Sequence, residues 1–247
     1  MSHTARRVAV IIPTRNEAEA LPQVLKSLPA WASPVIVADY NSTDGTDKVA
    51  LAHGATLVRV SRPGYGAACL QAMAALPPCD VVVFLDGDAS DRPEEIALIV
   101  APIIEGRADF VLGSRVLGAC ETGALTPQQR VGNALACALM RLIWGARFTD
   151  LGPFRAISRP ALDSLQMADQ NFGWTIEMQI RAAQKGLRCL ETPVTYRRRI
   201  GQSKVSGTVM GTIKASGKIL YVIAREAAGR RSLERDRETY GGAAPKL

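Results

Sequence analysis

The chain has 247 residues, of which 47% are apolar, and carries a formal net charge of +7. That length and apolar content suit one large α/β domain, or a domain with appendages, around a sizeable core. His3 and His53 are the only histidines, too few for a His-rich metal site and a poor basis for a His-based triad, and no apolar run of about 18 residues exists to span a membrane.

Met1 to Arg7 is polar, and no leader pattern precedes the first apolar run. Val8 to Ile12 is β-branched and predicts a strand, followed by Pro13-Thr14-Arg15-Asn16-Glu17 and a helical pattern through Leu21, Val24, Leu25 and Leu28. Val35 to Ala38 predicts a second strand, closed by Asp39. Asn41 to Thr46 reads as a turn in which Ser or Thr caps the next helix, Asp47 to His53. Thr56 to Val60 is a third strand, and Gly64-Tyr65-Gly66-Ala67-Ala68 opens a helix that runs to Leu76.

Val81 to Leu85 is an unbroken apolar run of strand length, as expected of a strand buried on both faces. It ends in Asp86-Gly87-Asp88. Asp-Gly is a common turn pair. Two carboxylates one residue apart at the end of a buried parallel strand also stand where open α/β sheets hold ligands. Gly87 lets the backbone turn sharply enough for both to approach one point. Such oxygen ligands suit Mg²⁺ or Mn²⁺ shared with substrate phosphates. The motif by itself admits both readings.

Pro93-Glu94-Glu95 begins a helix with acids at its positive end. Asp109 to Leu112 predicts a strand ending in Gly113-Ser114-Arg115. Pro127 to Gly145 is helical, and Thr149 to Ile157 is a loop feeding a short strand that includes Asp150. Trp174 to Lys185 is an amphipathic helix ended by Gly186. Leu187 to Val194, interrupted by Pro193, predicts an edge strand. Arg197-Arg198-Arg199 follows, then a basic amphipathic helix from Val205 to Ala228 and a charged, Gly/Ala-rich tail from Gly229. Strands alternating with helices at this spacing predict βαβ units and a mostly parallel central sheet with helices on both faces. The strand-end residues would line one sheet edge as a nucleotide-type crevice. No G-x-G-x-x-G or P-loop signature is present.

Charge is unevenly spread. Met1 to Ile180 holds 15 Lys and Arg against 18 Asp and Glu, whereas Arg181 to Leu247 holds 15 against 5. A basic C-terminal quarter implies an anionic partner there. Aromatic residues are scarce and no nucleic-acid motif is present, which favours phosphates or anionic lipid over nucleic acid. The five cysteines lack C-x-x-C spacing and lie mostly in apolar stretches, consistent with reduced thiols in a reducing compartment.

In order and spacing, several segments together resemble the family 2 glycosyltransferases of GT-A fold, nearest the dolichol- or polyprenyl-phosphate mannose synthases. They are Pro13-Thr14-Arg15-Asn16-Glu17, Asp39-Tyr40-Asn41-Ser42-Thr43-Asp44-Gly45-Thr46, Gly64-Tyr65-Gly66-Ala67-Ala68, Asp86-Gly87-Asp88, Phe172 to Met178, and Arg199-x-Gly201-x-Ser203-Lys204. Tyr40 stands where the family's nucleotide loop has a second Asp, and Ser90 where mannose synthases commonly have a Gln metal ligand.

The resemblance implies a GT-A domain over residues 1–206, while pattern and composition lead one to expect a basic amphipathic, interfacial segment over 207–228 and a disordered tail over 229–247. The same resemblance implies metal-dependent, inverting transfer of a hexose from a nucleoside-diphosphate sugar to a polyprenyl phosphate, by an enzyme peripheral to the cytoplasmic face of the membrane. The donor would meet Pro13, Thr14, Arg15, Glu17, Asp39, Asn41, Gly66, Asp86, Gly87 and Asp88. Asp86 and Asp88 would hold Mg²⁺ or Mn²⁺. Arg115, Arg130, Arg199, Ser203 and Lys204 would meet acceptor phosphate, and Asp88, Asp150 and Arg115 would be catalytic. A phosphate acceptor is already anionic and would leave Asp150 a positioning part. A soluble or lipid hydroxyl acceptor would require it as a base. A non-catalytic nucleotide-sugar-binding protein is the rival from outside enzymology, and metal-dependent turnover separates the two.

Overall fold

The computed structural model describes residues 6–201 and 217–229. Its sheet has seven strands: β1 (Val8–Thr14), β2 (Ala32–Asp39), β3 (Thr56–Arg59), β4 (Val81–Phe84), β5 (Phe110–Ser114), β6 (Arg155–Ser158) and β7 (Cys189–Pro193). Their order is β3-β2-β1-β4-β6-β5-β7. Only β6 runs antiparallel to its neighbours β4 and β5. Every other strand end therefore emerges at one sheet edge. β7 forms one side of the sheet, as Pro193 requires of a residue that cannot donate to a ladder.

The helices are α1 (Leu21–Ser27), α2 (Thr46–Ala52), α3 (Tyr65–Ala74), α4 (Ile96–Ile104), α5 (Pro127–Trp144), α6 (Arg159–Leu165) and α7 (Trp174–Gln184). A 3-10 turn at Pro93–Glu95 leads into α4. α1, α2 and α4 cover one sheet face through Leu21, Val24, Ala50, Ile96 and Ile99. α3, α5, α6 and α7 cover the other through Cys69, Met140, Leu162 and Trp174. Because both faces are covered, β1 and β4 read as continuous apolar runs rather than alternating ones. Trp174 is fully buried and meets Phe84 edge-on with ring centroids 4.6 Å apart. Truncating such an aromatic residue costs about 3–5 kcal/mol.

Local signals explain most boundaries. Thr126 and Gln129 form a reciprocal capping box, Pro127 occupies the first turn of α5, and Gly145 closes the helix at φ 70°. Gly186, at φ 65°, ends α7 while Leu187 N–H donates back to Ala182 at 3.0 Å. The expected Ser or Thr cap of α2 is absent. Gly45 takes that position at φ 91°, because the Thr46 hydroxyl is bound to Asp44 instead. α6 is an addition to the predicted elements: seven residues show too little periodicity to announce a helix.

Of the predicted helix Val205 to Ala228, residues 205–216 lie outside the described residues, as does the boundary at residue 206. Residues 217–229 are helical. They turn Val222 and Ile223 into the protein and leave Leu220 and Tyr221 exposed. Lys218 pairs with Asp169 at 2.8 Å and Arg225 with Glu177 at 2.6 Å. Among the described residues no helix is long and apolar enough to cross a membrane.

Candidate active site

Four of the parallel strands deliver a polar residue to the common edge. Thr14 closes β1, Asp39 closes β2, Asp86 follows β4 and Arg115 follows β5. The loops after β1 and β2 are knitted together. Glu17 N–H donates to Thr46 Oγ1 at 2.8 Å, Ala18 N–H to Asp44 Oδ2 at 3.0 Å, and Thr43 N–H to Asn16 Oδ1 at 2.8 Å. Asp39 lies buried beneath them, accepting from the Ser42 hydroxyl and from Thr14 Oγ1 at 3.3 Å. These bonds fix the loops as a rigid rim.

A cavity of about 220 Å³ opens at that rim, lined by Pro13, Thr14, Arg15, Glu17, Asp86, Gly87 and Asp88. Tyr40, Tyr65 and Phe172 add aromatic wall, and the Arg15 guanidinium lies 5.3 Å from the centre of the Tyr40 ring. Gly87 is required here, since a Cβ would sit 2.8 Å from Thr14 Cγ2. Three residues expected at the donor stand outside this lining. Asp39 supports it from below, and Asn41 is an exposed turn residue at φ 46°. Gly66 lets the chain pass the 169–171 backbone, where a Cβ would lie 2.0 Å from the Asp169 carbonyl oxygen.

The two carboxylates differ in their surroundings. Asp88 Oδ1 accepts from Ser90 N–H at 2.9 Å and from the Ser90 hydroxyl at 2.5 Å. Its Oδ2 faces Arg199 Nη1 at 3.2 Å, and Arg199 Nη2 reaches Glu17 Oε1 at 3.1 Å. Asp86 Oδ1 is buried without a hydrogen-bond partner. Burial, and then the neighbouring Asp88 charge, push the Asp86 carboxyl up to about 7. An orphaned oxygen beside a second carboxylate is a site short of positive charge, and its hard donors fit a divalent cation. Among the described residues no group of three or more His, Cys, Asp or Glu side chains could hold a metal. A divalent cation held by this pair would need phosphate and water oxygens to complete its coordination shell.

A second cavity, of about 450 Å³, is lined by Arg115, Arg130, Asn133 and Thr149 with apolar Val116, Leu125 and Ala134. Behind its wall Asp150 is fully buried. Asp150 Oδ2 accepts from Arg115 N–H at 2.9 Å and Nε at 2.8 Å, and Oδ1 from Arg115 Nη2 and Leu151 N–H, both at 2.8 Å. Burial alone would raise this carboxyl, but the Arg115 hydrogen bonds and charge outweigh it and hold it below the usual value. With four donors in place, Asp150 is a fixed anion beneath a guanidinium rather than an available base. The Arg115 guanidinium also lies 4.9 Å from the centre of the Tyr196 ring.

The structure thus places Arg115 and Arg130 together at the second cavity, and Arg199 at the first, beside Asp88 and Glu17. The reason is local. Arg197 N–H donates to the Ser90 carbonyl and Ile200 N–H to the Asp88 carbonyl, each at 2.9 Å, so the chain after β7 straps the Asp86–Ser90 turn. Ser203 and Lys204 lie outside the described residues. Two further residues stand here to which no sequence motif assigns a role: Tyr65, whose buried hydroxyl faces the Asp86 carboxylate without a well-formed hydrogen bond, and Asp91, whose buried oxygens make no well-formed hydrogen bond either. Burial and the charges of Asp86 and Asp88 raise Asp91 well above the usual carboxylate value, yet it lines neither cavity described above. A third acid so soon after Asp88 was the available signal.

The family model described as Glycosyl transferase family 2 matches residues 9–166. An uncharacterized glycosyltransferase of Mycobacterium tuberculosis is 39% identical over 213 residues, covering 84% of this chain and 94% of that protein. Undecaprenyl-phosphate mannosyltransferase of Micrococcus luteus is 30% identical over 220 residues, covering 83% and 90%. Among solved structures, glucosyl-3-phosphoglycerate synthase from Mycobacterium tuberculosis, in complex with Mn²⁺, UDP and glucosyl-3-phosphoglycerate, superposes with a TM-score of 0.73 at 25% identity over 91% of this chain and 81% of that one.

Proposed function

The chain belongs to glycosyl transferase family 2, and we propose that it transfers a hexose from a nucleoside-diphosphate sugar to a polyprenyl phosphate at the cytoplasmic membrane face. That it is a glycosyltransferase of GT-A fold follows from the family match and the likeness to the phosphoglycerate synthase. The acceptor reading is supported by one observation above the rest: Asp150 is consumed by Arg115. A hydroxyl acceptor needs a base to take its proton, whereas a phosphate oxygen arrives anionic.

In this reading the cavity bounded by Thr14, Glu17, Tyr40 and Asp88 holds the donor, the aromatic ring of Tyr40 serving its base. Asp86 and Asp88 would hold Mg²⁺ or Mn²⁺, which when bound offsets charge on the departing diphosphate. Arg115 and Arg130 hold the acceptor phosphate, Arg115 through a guanidinium whose outward face Asp150 sets. The phosphate oxygen attacks the anomeric carbon as its bond to the diphosphate oxygen breaks, inverting that centre with no proton transferred. Val116, Leu125 and Ala134 give the second cavity the apolar wall that the first isoprene units require.

The membrane part of the reading rests on α5. Val131, Leu135 and Leu142 are 70, 50 and 81% exposed along one stripe. α5 contains no acidic residue, and exposed Arg130 and Arg141 flank the stripe. Such a helix suits a lipid surface and borders the acceptor cavity. The test is an acceptor screen with Mn²⁺ and sugar nucleotides, comparing a short polyprenyl phosphate, the matching polyprenol and phosphoglyceric acid, with product identified by mass. Glycosylated polyprenyl phosphate supports the reading. Transfer only to the alcohol or to phosphoglyceric acid overturns it.

A further inference from the structure

The edge strand β7 carries a carboxylate that neither donor nor acceptor accounts for. Glu191 accepts the Thr149 N–H at both oxygens, 2.9 and 3.0 Å, and the Asp150 N–H at 3.3 Å. Other side chains take the rest of that loop. Asn133 accepts from Leu151 N–H at 2.8 Å and donates to the Thr149 carbonyl at 2.9 Å. Gln179 donates to the Asp150 carbonyl at 2.9 Å and Arg155 to the Leu151 carbonyl at 3.3 Å. Every peptide N–H and C=O of residues 149–151 therefore ends on a side chain, drawn from α5, α7, β6 and β7. No sheet or helix supports this loop, so its direction is set by those side chains.

Within this set of four side chains Glu191 is distinctive as the one anion, the other charged member being the Arg155 guanidinium. It stands on the backbone side of Asp150, another carboxylate, and burial, with the Asp150 charge adding to it, raises its carboxyl. A neutral acceptor would avoid that like-charge penalty. What an anion achieves is a strong hold on two successive N–H groups at once. Those two N–H groups fix the peptide from which the Asp150 side chain projects, and that side chain in turn aims Arg115.

We propose that Glu191 is a positioning residue for the acceptor half of the site: its grip on the Thr149 and Asp150 N–H groups orients Asp150, and through it the Arg115 guanidinium at the wall of the second cavity. The proposal rests on the reading of Arg115 as the group that meets acceptor phosphate. It separates the halves of the reaction, because Glu191 touches nothing in the donor cavity.

The test is a double-mutant cycle with the full chain, using Glu191→Gln, Arg115→Ala and the pair, read with a short polyprenyl phosphate as acceptor and with UDP plus Mn²⁺ for donor-side binding. Glu191→Gln is expected to lower turnover on the polyprenyl phosphate about ten- to a hundredfold while UDP–Mn²⁺ affinity stays at the wild-type value. In the Arg115→Ala background the same change is expected to add nothing further. Amide hydrogen exchange at Thr149 and Asp150, which requires no acceptor, is expected to quicken in Glu191→Gln and elsewhere to stay unchanged. Additive losses, UDP–Mn²⁺ affinity falling in step with turnover, or wild-type turnover would each overturn the proposal. If Glu191→Gln does not fold, Glu191→Asp keeps the charge, shortens the reach and is read the same way. If the wild-type enzyme leaves polyprenyl phosphate untouched, the acceptor reading fails. The exchange rates then decide on Glu191 alone, faster exchange at the two amides upholding its grip and unchanged exchange refuting it.

Discussion

Arg199 bridges Glu17 and Asp88, its guanidinium nitrogens 3.1 and 3.2 Å from the two carboxylates. A positive group in that place does for Asp88 what a divalent ion would do, and Asp88 Oδ2 cannot serve both fully at once. Replacing Arg199 by Gln should therefore tighten Mn²⁺ binding in the absence of nucleotide, by about three- to tenfold for a partly exposed ion pair. The measurement is Mn²⁺ titration followed by electron paramagnetic resonance. Binding no tighter than wild type would show that Arg199 and the metal do not compete.

Protons should compete at the same place. Asp86 has its carboxyl raised to about 7 by burial and by Asp88, so it is protonated below that pH and anionic above it. Metal ligands must be deprotonated. Mn²⁺ affinity should accordingly rise from pH 6 to pH 8 and flatten above, with proton release on binding at pH 7. In Asp86→Asn the slope should vanish along with most of the affinity. A pH-independent affinity in the wild-type chain would contradict the assignment.

The Arg115–Asp150 pair carries a carboxyl shift of the opposite sign, and with it a prediction about stability. Asp150 is held below its ordinary value of 3.8, so its contribution is complete above that value and is lost as pH falls through the lower folded value. Breaking a buried pair from one side costs roughly 3–5 kcal/mol, or about 10 °C in Tm for a chain of this size. Asp150→Asn should show that deficit at pH 7 in thermal denaturation, and the gap to wild type should narrow below about pH 4. An equal Tm at pH 7 would mean that the pair is not under tension with its buried surroundings.

Exposed α5 predicts how the enzyme meets lipid. Each basic residue near an anionic surface contributes about 1 kcal/mol, screened by salt. Leu135→Ser and Leu142→Ser should each weaken co-sedimentation with anionic vesicles several-fold, and salt should release the wild-type protein. Unchanged binding in both variants would take the membrane contact away from α5.

Much of this architecture was legible in the sequence, for reasons that particular residues make plain. Val8 to Ile12 and Val81 to Leu85 are continuous apolar runs because both sheet faces are covered. Pro13, Thr14 and the Asp86-Gly87-Asp88 turn share a cavity because parallel strands end at one edge. What escaped reading depends on contacts distant in the chain. Glu191 looked like any polar residue on an edge strand until folding brought it to Thr149, 42 residues earlier. Arg199 reaches Glu17 across 182 residues, and no local pattern shows which of the two cavities an arginine will line. α6 was too short to leave a period, and Asp150 could be read as base or as positioner until its four donors were seen.

The central claim is that Arg115, held by a saturated Asp150, receives an acceptor that is already anionic. The most direct measurement places a short polyprenyl phosphate and its dephosphorylated alcohol in competition for one sugar nucleotide, with Mn²⁺ present and both products resolved by mass. The account predicts sugar on the phosphate alone, with that transfer lost in Arg115→Ala. Sugar on the alcohol, with the phosphate untouched, would contradict it.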